Sequence, residues 1–315
     1  MGDIAAIAAL SNKFPERFLE ETTLITYDKF VNLSKKISTF KKIIPFYKED
    51  IKKTVNLCND ENFDLLIDLH SSSYVTSENA VFLNQINAKK MRITDKRLFL
   101  LSKEFHSKVE IIKDDKVKSC IKNVEQYLHR IGLKNDGIFN NDLSLNYNSG
   151  SKKRSSTGRP LIGIVPCSEY KHKQWPILYW EKLIHKIQDC DVAILCADFE
   201  IEKIKHLEKI PHVKIMAVTK PEEHLDNILC CDLIVSIDSG LKHLAAYLGK
   251  KVISLYSSGD HKIWGTFKEN EIVNHSTVPC YPCNSSYFCL MGKNICLQQI
   301  TPDRIYNQIK ELGFL

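Results

Sequence analysis

The sequence predicts an α/β protein built on parallel strands, and two observations lead to this fold class. Short apolar runs alternate with stretches of helical periodicity through the second half of the chain. Residues 232–257 give the clearest unit, in which an apolar run, a tight turn, a helical pattern and a second apolar run follow one another. This alternation is typical of a doubly wound parallel sheet.

Helical patterns separate the five strands predicted in the second half. The strands are expected at Leu161–Val165, Val192–Cys196, Val213–Met216, Leu233–Ile237 and Val252–Leu255. The helices are expected at 176–188, 200–209, 222–230, 241–248 and 301–312. The last of these helices begins with a good capping signal, because a Thr-Pro-Asp sequence starts at Thr301.

The first half shows the same alternation with weaker signals. Helices are expected at 4–13, 77–86 and 116–130, and strands at 24–27, 43–46 and 65–69. A polar, basic and Gly/Ser-rich stretch at 146–159 separates the halves and is typical of a linker or an exposed loop. We therefore predict one α/β domain over 1–150 and a second over 151–315. A chain of 315 residues is long enough for both domains to have a core.

The chain is mildly basic, with a formal net charge of +6 and a pI near 8.6. This balance fits an anionic substrate or a loose association with an anionic membrane surface. No aromatic-basic module of the RNA-binding kind occurs, so we expect no nucleic-acid partner. No apolar stretch approaches the length that spans a bilayer, and the N-terminus lacks a leader pattern. The expected location is the cytoplasm, with peripheral contact at the inner face of the cytoplasmic membrane.

The turn inside residues 232–257 has the chemistry of a phosphate site. Asp238, Ser239 and Gly240 end the strand, and Leu241 opens the helical pattern. The free backbone N–H groups and the positive end of the helix dipole there suit a phosphate. Asp238 adds a carboxylate, and His243 lies in the first helical turn, facing the same crevice. The alternative is an ordinary turn with an Asp/Ser N-cap, and the turn by itself does not decide between them.

A second loop at the same rim of the sheet is basic. Residues 166–176 follow the first predicted strand of the second half and include Lys171 and Lys173, which can place an ammonium over a phosphate. Trp175 comes just before the Pro that opens the next helix. The alternative is a basic surface loop in which Trp175 packs as an anchor.

A third rim loop, after the strand at 192–196, contains Glu200. An acidic side chain in this position can accept hydrogen bonds from ribose hydroxyls. The alternative is that the acid caps the helix that starts there.

Four cysteines close to the C-terminus form a C-x2-C-x5-C-x6-C pattern. They are Cys280, Cys283, Cys289 and Cys296. Thiolates at short spacing in a reducing compartment are a candidate structural zinc or redox-sensitive cluster. The alternative is unligated cysteines in a packed loop. The other seven cysteines lie in apolar runs and are expected to be small buried hydrophobic residues.

Taken in order along the chain, these segments resemble glycosyltransferase family 9, the family of bacterial ADP-heptose:lipopolysaccharide heptosyltransferases. The segments are Gly2-Asp3, the strand ending in Asp68-Leu69, the loop Lys173-Gln174-Trp175-Pro176, Asp238-Ser239-Gly240 with His243, and the Cys-rich tail that closes in CLQQITPDRI. The resemblance covers nearly the whole chain and is strongest from Pro160 to the end.

The resemblance implies a GT-B architecture, in which two Rossmann-like domains face a cleft. The acceptor would bind mainly to the N-terminal domain and the nucleotide sugar to the C-terminal one. The family's first strand precedes its Gly-Asp pair, so the N-terminal domain of this chain is expected to lack that strand. The implied reaction is an inverting, metal-independent transfer of heptose or a related sugar. The donor would be an ADP-sugar, no cofactor would be required, and the acceptor would be a lipopolysaccharide core or another lipid-linked or phosphorylated glycan.

The resemblance also implies residue roles. Asp3, which otherwise reads as a helix cap, would be the general base on the acceptor hydroxyl. Lys173 would neutralise the diphosphate leaving group, with help from the N–H groups of Ser239 and Gly240. Donor binding would fall to Asp238, Ser239, Gly240, Leu241, His243, Glu200 and Lys171.

Two other functions stay open at this point. One is a catalytically silent paralogue or subunit that binds a nucleotide sugar. It would bind nucleotide without turnover. The other is a nucleotide-sugar epimerase, which shares the architecture and would need no acceptor, although the K-x-W-P loop speaks against it.

Overall fold

A computed structural model describes residues 1–12, 14, 16–67, 77–94, 109–112, 144–147, 157–266, 268–283, 289, 291, 292 and 294–315. The chain divides into two compact units. Unit 1 comprises Met1–Asn12, Lys36–Ser38 and Asn140–Leu315, and unit 2 comprises Lys13–Lys35 and Thr39–Phe139. The domain boundary expected near residue 150 stays a prediction. The helix expected at 116–130, Asp68-Leu69 and most of the linker lie outside the described residues.

Unit 1 is built on a six-stranded parallel sheet. Its strands are β6 (Leu161–Val165), β7 (Asp191–Ala197), β8 (Val213–Val218), β9 (Leu233–Ile237), β10 (Lys251–Leu255) and β11 (Glu271–Asn274). Their order across the sheet is β11-β10-β9-β6-β7-β8, and every neighbouring pair is parallel. All five predicted strands are confirmed. The edge strand β11 was not predicted, because its short run EIVN carries no distinctive period.

Helices and 3₁₀ turns connect these strands. Those of unit 1 are α1 (Gly2–Ser11), α6 (Ile177–Lys186), α7 (Ile201–Ile204), α8 (His224–Cys230), α9 (Gly240–Tyr247), α10 (His261–Trp264), α11 (Ile295–Gln298) and α12 (Pro302–Glu311). The single helix expected at 200–209 is shorter, since the chain tightens into a 3₁₀ turn at Lys205–Lys209. Gly249, with a φ of 79°, provides the left-handed residue that ends the turn after α9.

The core of unit 1 lies against the sheet and joins segments that are far apart in sequence. Strand β9 is buried along its whole length, as expected for a central strand of a parallel sheet. Trp175 and Trp180 are buried with their rings edge to face at 4.8 Å. The indole N–H of Trp175 donates to the carbonyls of Leu297 and Ile300, at 3.1 and 2.8 Å. The loop after β6 is therefore fixed to the C-terminal helices.

Unit 2 contains two small parallel sheets. One pairs β1 (Thr23–Tyr27) with β2 (Lys42–Phe46), and the other has the order β3 (Phe63–Ile67), β4 (Ala88–Thr94), β5 (Val109–Ile112). Its described helices include α2 (Glu16–Glu20), α4 (Ile51–Asn59) and α5 (Ser77–Gln85), and most of α3 (Val31–Ile37) also belongs to it. The strands expected at 24–27 and 43–46 and the helix expected at 77–86 are confirmed, and so is the α/β class with parallel strands.

Most of the described cysteines outside the C-terminal cluster are buried, as their apolar surroundings predicted. Burial raises the pKa of the thiols of Cys58, Cys167 and Cys231 to about 12, so these thiols stay protonated. Within the described part of the chain, no helix combines the length and the apolar character needed to cross a membrane.

Gly163, in β6, lies where any side chain would collide with the core. A Cβ atom there would come within 2.4 Å of Ile234 Cδ1 and 2.8 Å of Cys231 Sγ, and both residues are fully buried. We expect Gly163→Ala to lower the free energy of unfolding by about 1–3 kcal/mol through overpacking. Thermal and denaturant unfolding would measure this.

The double variant Gly163→Ala/Ile234→Val removes the Cδ1 atom and should recover part of the loss. An unchanged midpoint in the single variant would contradict the proposed crowding.

Candidate functional site

The candidate site lies at the switch point of the parallel sheet. Strand β6 pairs with β7 on one side and with β9 on the other. The crossover from β6 leads to β7, whereas the crossover from β9 leads to β10 in the opposite direction, so a crevice is expected outside the carboxyl ends of β6 and β9. Open α/β sheets bind their ligands at such a point. The loops that follow these two strands are the ones predicted to bind a phosphate.

The turn after β9 forms both the predicted helix start and its cap. Helix α9 begins at Gly240, one residue earlier than expected, and Ser239 is its N-cap. The Ser239 hydroxyl accepts from the backbone N–H of Lys242 at 3.4 Å and lies 3.1 Å from the Ser236 hydroxyl. Ser239 therefore caps the helix, as the alternative interpretation of this turn predicted. The positive end of α9 nevertheless points to the crevice, as the phosphate hypothesis requires.

Asp238 is a buried carboxylate held between two lysines. Its Oδ2 lies 3.0 Å from Lys173 Nζ, and its Oδ1 lies 3.0 Å from Lys242 Nζ. Burial by itself would raise the pKa of Asp238, but the charges of Lys242 and Lys173 outweigh it and hold the pKa below its ordinary value. Asp238 is thus ionised at neutral pH. Gly259 approaches the same carboxylate closely, since a Cβ there would lie 3.0 Å from Oδ2.

Lys173 reaches Asp238 from a short 3₁₀ turn, Lys171–Lys173, in the loop after β6. The buried Trp175 fixes the chain two residues further on, and the Gln174 side chain donates to the Ser168 carbonyl at 2.7 Å. The Lys173 side chain keeps 23% of its surface exposed. Lys171 is in the same turn, with an exposed side chain. The predicted packing role of Trp175 and the predicted cation at Lys173 therefore coexist in one loop.

His243 and the start of α1 lie next to the turn. A Cβ on Gly2 would come within 3.0 Å of His243 Cδ2, and one on Gly240 would meet Met1 Cβ at 2.6 Å. Asp3 is exposed in the first turn of α1, and its side chain is not the cap of that helix. Burial, helped by the nearby charge of Lys242, lowers the pKa of His243 to about 3. The imidazole is therefore neutral, and its buried Nδ1 has no hydrogen-bond partner among the described residues.

Glu200 lies at the carboxyl end of β7, the strand beside β6. Its Oε2 accepts from the backbone N–H of Ala197 at 3.1 Å, so the carboxylate caps the turn that leads into α7. This contact agrees with the capping alternative. Glu200 lies at the rim and has a second carboxylate oxygen, so it can cap the turn and also contact a ribose. The ribose contact stays a prediction.

The most buried charged side chain near the site was not predicted from the sequence. Lys242 is completely buried, and its Nζ donates to Asp238 Oδ1, to the Tyr256 hydroxyl and to the Trp264 carbonyl. Glu271 Oε1 lies 3.9 Å from the same ammonium. The available signal was weak: a lysine four residues after Asp238, between buried helix positions.

The four clustered cysteines line one pocket together with Ser257 and Ser258. Burial raises the pKa of the Cys296 thiol, and the other three cysteines add to the increase. Among the described residues, no group of three or more His, Cys, Asp or Glu side chains is placed to hold a metal ion. The zinc or redox cluster therefore stays a prediction.

A family model described as glycosyltransferase family 9 (heptosyltransferase) matches residues 53–293. Lipooligosaccharide heptosyltransferase 2 of Campylobacter jejuni is 26% identical over 167 residues, which cover 49% of this chain and 51% of that protein. The matched part of the chain thus spans about half the length of this curated relative.

Two solved structures share the fold. The E. coli ADP-heptose lps heptosyltransferase II superposes with a TM-score of 0.69 at 18% identity, covering 98% of this chain and 93% of that one. The glycosyl transferase family 9 protein from Veillonella parvula gives a TM-score of 0.72 at 14% identity, covering 99% and 93%. These likenesses confirm the expected GT-B fold class.

Proposed function

This chain belongs to glycosyltransferase family 9, and we propose that it moves heptose, or a related sugar, from an ADP-sugar to a lipopolysaccharide core or another surface glycan. The support for the donor comes from unit 1, where an ammonium, a helix N-terminus and a buried carboxylate meet at the switch point of the sheet. The acceptor is expected to bind mainly to the domain at 1–150.

One observation carries the proposal, the contact of Lys173 Nζ with Asp238 Oδ2 at 3.0 Å beside the start of α9. The two residues come from loops 65 positions apart, and they meet where a diphosphate can accept from both an ammonium and the backbone N–H groups of Gly240 and Leu241. An ordinary helix cap needs no lysine from another loop. A site for the leaving diphosphate does.

The reaction that fits these groups is a single displacement with inversion. Asp3 takes the proton of the acceptor hydroxyl as its oxygen bonds to the anomeric carbon, and the bond from that carbon to the diphosphate oxygen breaks. ADP leaves with the electron pair of the broken bond. Lys173 and the N-terminus of α9 stabilise the negative charge that builds on the diphosphate, which is the expected source of the rate enhancement.

The charges around Asp238 favour a metal-independent mechanism. Asp238 Oδ1 accepts from the buried Lys242 ammonium, and this fixed positive charge beside the carboxylate disfavours a divalent cation there. Lys173 then supplies the positive charge that a divalent cation would otherwise bring to the phosphates. We propose that activity persists in a chelator.

The remaining donor contacts follow the same arrangement. Asp238 and the neutral His243 would hydrogen-bond the sugar and the phosphates, Glu200 the ribose, and Lys171 would add positive charge from the edge of the loop. The net charge of +6 fits a phosphorylated or lipid-linked acceptor and a peripheral position at the inner face of the cytoplasmic membrane. A structural zinc at the four cysteines would be compatible with this role.

Incubation of the protein with ADP-heptose and a phosphorylated acceptor should release ADP, and the release should be unaffected by EDTA. Calorimetry should show ADP binding by the protein alone. A protein that released no ADP with any acceptor in a panel and bound no ADP would overturn the proposal. ADP binding without turnover would favour the silent nucleotide-sugar-binding paralogue, and conversion of the sugar nucleotide without acceptor would favour an epimerase.

A further inference from the structure

We propose that Lys242 is a positioning residue, which keeps Asp238 ionised and oriented while Lys173 moves from Asp238 to the donor diphosphate. The proposal rests on the proposed function, because it concerns the same diphosphate site. It assigns different roles to the two lysines that contact Asp238.

Lys242 has no freedom to leave its place. Its side chain is completely buried, and its three N–H donors point to Asp238 Oδ1, the Tyr256 hydroxyl and the Trp264 carbonyl. The Tyr256 hydroxyl donates in turn to Glu271 Oε1 at 2.9 Å. Every proton of this ammonium therefore has an acceptor within unit 1.

Glu271 completes the charge balance around this ammonium. It is itself buried, and its second oxygen accepts from the backbone N–H and the hydroxyl of Thr266, at 2.8 and 2.6 Å. The nearby charge of Lys242 and the bonds from Thr266 outweigh burial and lower the pKa of Glu271. Lys242 is thus set between two ionised carboxylates, Asp238 and Glu271.

Lys173 has the opposite character. It is partly exposed, lies in a short 3₁₀ turn, and contacts Asp238 at 3.0 Å from the solvent side. A diphosphate carries more negative charge than the carboxylate and presents it at the crevice. Lys173 can therefore move to the diphosphate by rotating its side chain, whereas Lys242 cannot.

This asymmetry has a consequence for the donor complex. A buried carboxylate that loses its only cation becomes an uncompensated charge, which is costly. If Lys242 were absent, Asp238 would hold Lys173 back from the diphosphate. With Lys242 in place, Lys173 is released at low cost, and Asp238 Oδ2 becomes free to accept from a sugar hydroxyl.

The test measures ADP affinity by calorimetry in wild type, Lys242→Met, Asp238→Asn and the double variant Lys242→Met/Asp238→Asn. We expect Lys242→Met to bind ADP about tenfold more weakly, because Asp238 then retains Lys173 as its only cation. The double variant should bind ADP within about twofold of Asp238→Asn, because an amide no longer retains Lys173. All affinities are compared at temperatures where thermal melts show each protein folded.

The outcomes separate the two proposals. Absence of ADP binding by the wild type overturns the proposed function, and the inference with it. Wild-type binding with unchanged affinity in Lys242→Met overturns only the inference. If Lys242→Met binds ADP more weakly and the double variant binds more weakly than Asp238→Asn to the same extent, Lys242 has a merely structural role. That outcome also overturns the inference. If Lys242→Met does not fold, the double variant Glu271→Gln/Lys242→Met gives the same readout, with Glu271→Gln as its reference. This double variant removes one positive and one negative buried charge, so the buried charge stays balanced.

Discussion

Replacing Lys173 with alanine should slow sugar transfer by about 10²–10³-fold, the usual cost of removing one preorganised group that stabilises charge in a transition state. The ammonium lies 3.0 Å from Asp238 at the switch point, where the proposed mechanism places the charge on the departing diphosphate. The fold should be retained, because Lys242 still neutralises Asp238 from the buried side. Steady-state measurement of ADP release gives the rate.

Lys182→Ala is the matched control for this prediction. Lys182 is exposed on α6, in the element that directly follows the Lys173 loop, and its removal should leave ADP release unchanged. Lys171→Ala removes a more exposed cation from the same turn as Lys173 and should have a smaller effect. A Lys173→Ala enzyme with wild-type turnover would contradict the assignment of the diphosphate to this lysine.

Replacing Asp3 with asparagine should lower the turnover number by about 10²–10⁴-fold, the range for loss of a general base. The amide keeps the shape of the side chain but takes up no proton. Asp3 is exposed in the first turn of α1 and follows Gly2, which lies against His243. ADP affinity should be unchanged, because in the proposed mechanism Asp3 acts on the acceptor hydroxyl and not on the donor.

Asp303→Asn is the matched control, because Asp303 is also an exposed acid in the first turn of a helix, α12, and pairs with Lys186 at 2.8 Å. It should keep full turnover. If Asp3→Asn transferred sugar at a rate within about twofold of the wild type, well short of the loss expected for a base, another residue would have to be the base. Parallel loss of ADP binding and turnover would instead indicate a structural role for the start of α1.

The sequence predicted the elements and the turn chemistry of unit 1 because both are local properties. A buried parallel strand followed by Asp-Ser-Gly is visible in a few neighbouring residues, and β9 and α9 were placed within one residue of their observed bounds. The short edge strand β11 and the shortened helix after β7 were not predicted, because their few residues carry no distinctive period.

Two predicted side chains illustrate what local reasoning could not decide. Glu200 was open between a ribose contact and a cap, and its bond to the Ala197 N–H shows that it forms a cap whatever else it does. His243 was predicted near the phosphates, but its low pKa depends on burial and on the charge of Lys242, which no local pattern reveals.

Neighbouring residues were enough to predict the α/β class and the rim loops and to single out Lys173 and Asp238 as candidates, because periodicity and turn chemistry are local properties. Only the tertiary structure placed β6 beside β9, brought those two loops to a 3.0 Å ion pair, and buried Lys242 behind it. Strand order and the burial of a charge depend on contacts between segments that are far apart in the chain, and a local sequence pattern does not contain those contacts. The indole of Trp175, which bonds a carbonyl 122 residues away, is fixed by such a contact.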